Sequence, residues 1–204
     1  KEKFEKEVDY WLNQLPNSKG LFDFKDLNKR IKKDIDNIKP IFVIGVPRCG
    51  STLVEKIIAS SIHYIPIGEE TSILSALVKQ KISQQESPLL NLENFQTKAV
   101  EKYKQKGLIQ EKSNYTFTDK SLDNFFYISL IKEIFPYAKV INCKRNALSC
   151  IISMLKNNLT GLAWTHNLEH IFKYYDIYFK IIKNFTEAFP NFIYDLEYEK
   201  FVKD

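Results

Sequence analysis

Cysteine is scarce in the 204 residues: only Cys49, Cys143 and Cys150 occur. Their spacing makes neither a metal-ligand pattern nor a disulfide framework, which fits a reducing compartment and predicts a cytoplasmic protein. No stretch approaches the roughly 18 uninterrupted apolar residues of a membrane span, so a membrane is not an expected partner. The opening Lys1-Glu2-Lys3-Phe4 has no hydrophobic signal core and no initiator Met, and the chain reads as an excised or processed fragment. A polybasic run with interleaved aromatics is also missing, so nucleic acid is not expected either.

What is present suits one α/β domain with a helical appendage. Hydrophobic residues make up 44% of the chain, with 15 Phe and 11 Tyr, enough for a sizeable core. The net charge of +5 fits an anionic ligand, and equally a Lys- and Asn-rich composition.

Residues 1–39 read as two charged amphipathic helices broken by the turn-formers Pro16-Asn17-Ser18-Lys19-Gly20, and they suit the tail of an upstream helical repeat array. Then the character changes. Pro40-Ile41-Phe42-Val43-Ile44-Gly45-Val46 is a short β-branched run, the pattern of a buried parallel strand. A turn follows, and then a helix with Leu53, Val54, Ile57 and Ile58 expected on one buried face. Phe117–Lys120 predicts a short strand, 123–135 a helix stopped by Pro136, and Ala138–Cys143 another strand. Helices over about 146–157 and 167–189 come next, the second with Leu168, Ile171, Phe172, Tyr175, Ile182 and Phe185 at helical spacing. Asn191–Leu196 reads as the last strand. Alternating β and α elements predict a three-layer fold: a parallel sheet flanked by helices.

Gly45-Val46-Pro47-Arg48-Cys49-Gly50-Ser51-Thr52 has P-loop spacing, G-x-x-x-x-G, between a strand and a helix. Backbone N–H groups of such a turn point inward around an anion. The lysine that would reach the outer phosphates of a triphosphate is missing, and Ser51 stands in its place. Arg48 supplies charge nearby. The strand at 138–143 runs into Lys144-Arg145 rather than a magnesium-binding Asp. Both departures favour a shorter anion, such as a 5′-phosphosulfate, over ATP–Mg. Gly45 and Gly50 taken alone also suit a plain tight turn.

Four ordered segments between residues 40 and 204 resemble the sulfotransferase family, in its branch of tyrosylprotein and bacterial TPR-linked sulfotransferases. Pro47-Arg48-Cys49-Gly50-Ser51-Thr52-Leu53 is similar to the P-R-S-G-T-T-L motif. Gly68-Glu69-Glu70-Thr71 matches G-E-E-T, and Thr118-Asp119-Lys120 resembles the D-K element. Lys144-Arg145-Asn146, with Ser153 eight residues past the arginine, resembles the 3′-phosphate motif. The resemblance implies a P-loop-type fold and metal-free, in-line sulfuryl transfer from 3′-phosphoadenosine 5′-phosphosulfate (PAPS), leaving PAP. It implies a hydroxyl or amine acceptor on a peptide, carbohydrate, lipid or small molecule. It casts Glu69 as general base and Lys120 as the stabiliser of negative charge. Arg48, Cys49, Gly50, Ser51 and Thr52 would grip the phosphosulfate, and Arg145 and Ser153 the 3′-phosphate. The strand-end position of Arg145 suits this, because ligands of α/β sheets bind at strand carboxyl ends.

Three departures stand out. Cys49 and Ser51 replace the usual serine and threonine, and a thiol near a helix N-terminus is expected to have a lowered pKa. Ser72 replaces the arginine with which the tyrosylprotein enzymes favour acidic peptides, so the acceptor stays open. The family's basic, aromatic segment that closes over the nucleotide is expected to follow Asp204, and without it PAPS affinity should be weak. Two other classes remain: a P-loop nucleotide or small-molecule kinase, and a catalytically silent nucleotide-binding or interaction module. His63, His166 and His170 read as surface or packing residues, and Tyr174, Tyr175 and Tyr178 as core.

Overall fold

The run beginning at Ile41 has neighbours on both sides, which is why it is apolar throughout. A computed structural model describes residues 5–6, 9–10, 37–61, 64–84, 92–110, 115–159 and 161–203. The helices expected over 1–39 fall almost wholly outside those residues, as does His63. Strand β1 (Ile41–Gly45) pairs in parallel with β2 (Thr118–Asp119) and with β3 (Lys139–Lys144). Strand β4 (Ile193–Glu197) extends the sheet in parallel from β3, giving the order β2-β1-β3-β4. Among the described residues no helix is long and apolar enough to cross a membrane.

The chain leaves β1 through α1 (Ser51–Ala59), α2 (Ile73–Ser83) and α3 (Leu92–Gln105) before reaching β2 on one side. It then passes through a 3₁₀ turn (Leu122–Tyr127) and α4 (Ile128–Ile134) to β3 on the other side. Helix α5 (Ala147–Lys156), a short 3₁₀ turn (Ala163–His166) and α6 (Leu168–Ala188) lead to β4, and α7 (Tyr198–Phe201) follows. Successive connections from β1 and β3 thus depart in opposite directions. The crevice between their carboxyl ends is the topological switch point, where open α/β sheets bind ligands.

Phe42 and Val140 are register partners, so they share a face of the sheet. On that face the Phe42 ring lies 6.1 Å from Phe135, which in turn meets Tyr103 of α3 edge-on. Asn142, two residues along β3, is fully buried and links three elements. Its amide donates to Asp195 of β4 at 2.8 Å and its oxygen accepts from Tyr178 of α6 at 2.5 Å. Burial pushes the Tyr178 phenol above its ordinary range, so it stays a donor.

Two packing expectations change. On α1 the buried face is Ser51, Val54, Glu55 and Ala59, while Leu53 and Ile57 are exposed. On α6 Leu168 and Phe172 are exposed, and Ile171, Tyr174, Tyr175, Tyr178 and Ile182 face inward. Both helices pack with a wider polar share than apolar spacing suggests: the buried Glu55 carboxylate accepts from Thr118, and Tyr178 donates to Asn142. The segment expected as one helix over 123–135 is the 3₁₀ turn followed by α4. From that turn Phe125 meets Tyr174 and Tyr178 edge-on, at 5.8 and 5.3 Å.

Tyr178→Phe should cost about 1–2 kcal/mol, because it strands the buried oxygen of Asn142. Urea unfolding followed by circular dichroism measures it. An unchanged midpoint would mean that Asn142 turns to another donor.

Candidate active site

The loop after β1 closes with the Cys49 amide on the Val46 carbonyl, at 3.2 Å. Gly50 takes a left-handed conformation, φ 95°, and its carbonyl receives the amides of Leu53 and Val54, starting α1. A side chain at Gly50 would collide with the Tyr198 ring, since a Cβ there would lie 2.2 Å from it. Helices α5 and α6 are capped by Asn146 and Asn167, whereas no side chain caps α1 and no acid sits in its first turn. A helix start with uncapped N–H groups and a positive dipole end suits an anion. Ser51 is buried there and Thr52 exposed. The Cys49 thiol is held below the ordinary thiol range, chiefly by a hydrogen bond from Cys143 and also by Ser51, against the opposing effect of burial. It is fully buried, so lowered pKa does not bring ready access.

The end of β3 locks onto this loop. Arg145 donates through Nη1 to the Arg48 carbonyl at 3.0 Å, and the Cys150 thiol approaches the same oxygen at 3.6 Å. Arg48 in turn donates through Nε to Ser153 Oγ at 3.0 Å. The Arg145 guanidinium lies 4.9 Å from the Tyr198 ring centre, a cation–π contact. Next to Tyr198, Glu199 accepts from the Asn146 amide at 2.8 Å, and that bond holds its carboxyl below the usual range. Arg48, Arg145 and Ser153, which come from two loops and a helix, therefore form one contact chain at the switch point.

The turn Gly68–Ser72 brings in the carboxylates. Glu69 and Ser72 both have positive φ, 53° and 52°. The Glu69 amide donates to Glu55 Oε1 at 3.1 Å, and its carbonyl accepts from the Lys120 amide at 2.8 Å. Lys120 is buried, and its ammonium meets Glu70 Oε1 at 3.1 Å. Of the two glutamates of the turn, it is Glu70, not the expected base Glu69, that pairs with Lys120. Beneath the turn, Asp119 is fully buried and accepts from Thr71 and Tyr103 hydroxyls at 2.6 and 2.7 Å and from the Ser121 amide at 2.9 Å.

Beside the turn and Pro47 opens a cavity of about 770 Å³, whose wall includes Glu70, Ser72, Asp123, Trp164 and Tyr174. Asp123 is pushed up by burial, with Asp119 adding to the rise and Lys79 opposing it. Sequence reasoning missed Glu55, Asp119, Asp123 and Tyr198. Glu55 looks like an exposed charge on an amphipathic helix, and only the fold shows that its face is the inner one. Among the described residues no cluster of three or more His, Cys, Asp or Glu could hold a metal ion.

Gly68 has no room for a side chain, because a Cβ would lie 2.0 Å from the Thr118 carbonyl. Gly68→Ala should therefore push the acidic turn off β2 and cost about 1–3 kcal/mol in urea unfolding. A variant as stable as the parent would show that the turn relaxes freely.

Two comparisons bear on this arrangement. An uncharacterized protein of Aquifex aeolicus (strain VF5) is 28% identical over 180 residues, covering 81% of this chain and 24% of its own length. The chain thus spans about a quarter of that relative. The family model described as "Sulfotransferase family" matches residues 40–204, which takes in the whole sheet, the anion loop and the acidic turn. With most of its length matched, and with the loop and the β3 end meeting at the switch point, the chain belongs to the sulfotransferase family.

Proposed function

We propose that this chain transfers a sulfuryl group from PAPS to a hydroxyl or amine acceptor, with a carboxylate of the Gly68–Thr71 turn as general base. Sulfuryl transfer in general follows from family membership. The observation that carries the finer reading is the chain of contacts from Arg145 to the Arg48 carbonyl and from Arg48 to Ser153. It sets two guanidinium groups around an uncapped helix start, a donor set that fits a nucleotide with phosphates at both ends.

When bound, PAPS would supply the sulfuryl group, whose bond to the 5′-phosphate breaks as a bond to the acceptor forms. The loop amides from Cys49 to Thr52, with the Ser51 and Thr52 hydroxyls and Arg48, would hold the phosphosulfate. Arg145 and Ser153 would hold the 3′-phosphate. The Lys120 ammonium, buried and fixed, would offset charge that develops on the transferring oxygens without first having to reorganise. The acceptor would enter through the cavity beside Pro47 and lose its proton to the acidic turn. Of the two carboxylates, Glu70 has the stronger support: it lines that cavity and touches Lys120, whereas the structural contacts of Glu69 run through its backbone. Glu69, the base implied by motif resemblance, remains the comparison.

Ligand choice tests the donor. PAP should raise the melting temperature without magnesium, and ATP–Mg should do so less at equal concentration. Arg145→Ala should weaken PAP by about 1.5–3 kcal/mol and adenosine 5′-phosphosulfate much less, measured by calorimetry. A larger ATP shift that EDTA removes would instead favour a kinase.

Paired variants test the base. In full-length protein with an acceptor found by screening, Glu70→Gln should lower kcat by about 10²–10⁴ and leave PAP affinity within a few-fold. Glu69→Gln should cost much less. The reverse order would return the role to Glu69, and two active variants would mean that the proton leaves by another route.

A further inference from the structure

Glu55 is a carboxylate at 1% exposure on the inner face of α1, with no role in the chemistry described so far. A buried carboxylate is costly unless its hydrogen bonds are good, and an apolar residue would fill an inner helix face at no such cost. Its Oε1 accepts twice: from the Thr118 hydroxyl at 2.6 Å and from the Glu69 amide at 3.1 Å. The Thr118 hydroxyl also receives the Gly68 amide, at 3.1 Å. Two consecutive N–H groups of the acidic turn are therefore held by one Glu–Thr pair.

The other backbone group of the same residue is held as well. The Glu69 carbonyl accepts from the amides of Lys120 and Thr71, at 2.8 and 3.1 Å. Residue 69 is thus fixed at both ends in a left-handed conformation that residues other than glycine rarely adopt. Glu70 follows this fixed residue, and its carboxylate meets the Lys120 ammonium at 3.1 Å. Lys120 lies two residues after Thr118, just past the end of β2, and Glu55 lies four residues after Ser51 on the helix that starts at the loop after β1.

We propose that Glu55 is a positioning residue for sulfuryl transfer. It ties the acidic turn and β2, which leads into Lys120, to α1, so that the proton acceptor, the charge-stabilising lysine and the phosphosulfate loop keep one spacing. This rests on the reading that a carboxylate of the turn accepts the acceptor's proton. It is distinct from a mere packing role, since what Glu55 grips is the backbone of the catalytic turn.

The test uses the intact chain, with Glu55→Ala, Glu55→Gln and Thr118→Val compared in two readouts. The first is amide hydrogen exchange at Glu69, by NMR, with and without PAP, which needs no turnover. The second is sulfate release from PAPS with water as acceptor, expressed per PAP-binding site so that misfolded protein does not count. Glu55→Ala and Thr118→Val should each speed Glu69 exchange more than tenfold and lower the rate per site at least tenfold. PAP affinity should stay within twofold. Glu55→Gln, whose amide oxygen accepts the same two bonds, should keep most of the rate and protection. Combining Glu55→Ala with Thr118→Val should be no worse than the poorer single variant, as expected for groups acting as one unit.

Unchanged Glu69 exchange in both Glu55→Ala and Thr118→Val would overturn the proposal, and so would a Glu55→Gln variant as poor as Glu55→Ala. If Glu55→Ala does not fold, Thr118→Val alone decides on the same criteria. Glu69→Gln and Glu70→Gln in the same assay separate the two levels. An inactive Glu70→Gln beside a fully active Glu55→Ala refutes positioning and keeps the base. Two active Gln variants refute the base, and with it the catalytic purpose of the clamp, whatever the exchange data show.

Discussion

The parallel pairing of β1 with β3 is the constraint from which the site follows. Its register sets Gly45 beside Cys143, so the loop after β1 and Lys144-Arg145 leave the sheet at the same height. Cations from one strand end can then meet a loop from the other without a long reach. A shift of one residue would invert every side chain on β3, exposing Val140 and Asn142 to the wrong layer. The buried Asn142, held by Asp195 on β4 and Tyr178 on α6, makes such a slip costly.

Around that pairing, two buried carboxylates do different jobs. Asp119 is the hub beneath the acidic turn, and the hydroxyls of Thr71 and Tyr103 and the Ser121 amide satisfy it. Burial and the nearby Asp119 charge both push the Tyr103 phenol well above its ordinary range, so it remains a donor to that hub. Glu55 reaches the turn from the opposite element, α1. One carboxylate ties the turn down to the sheet end and α3; the other ties it sideways to α1. A turn held from two directions cannot drift relative to the loop, and in-line group transfer is sensitive to errors of an ångström.

Much of the framework could be read from the sequence because it rests on local patterns. The Ile41–Gly45 run, the Gly-containing loop, the strand ending at Lys144-Arg145 and the helices after it each carry a short-range signal. Helices α2 and α3 drew no assignment, although they cover Ile73–Ser83 and Leu92–Gln105. Their apolar positions are interrupted by Ser75 and Gln96, which are buried in the fold. The contact that joins Arg48 to Ser153 spans 105 residues, and no spacing rule reaches so far. The motif resemblance points to Glu69 as base, and no motif shows that the Lys120 ammonium meets Glu70, a contact that only the folded turn displays.

Left-handed backbone is concentrated where the chemistry is expected. Of the four non-glycine residues with positive φ among the described residues, Arg48, Glu69 and Ser72 lie in the two turns of the site, and Asn191 lies apart. An asparagine tolerates that region well, whereas arginine, glutamate and serine do so at a cost of about 1 kcal/mol or more each. Each is held by bonds from elsewhere: Arg48 through its carbonyl by Arg145, Glu69 through both its amide and its carbonyl, and Ser72 through its amide by the Ser121 hydroxyl at 2.8 Å. Strain of this kind persists only when surrounding contacts over-determine the conformation. The same contacts stop the turns from relaxing when a charged ligand arrives, so little reorganisation is left for the reaction itself. Local sequence preference fails at these three residues because the site needs directions that an unstrained turn would not supply.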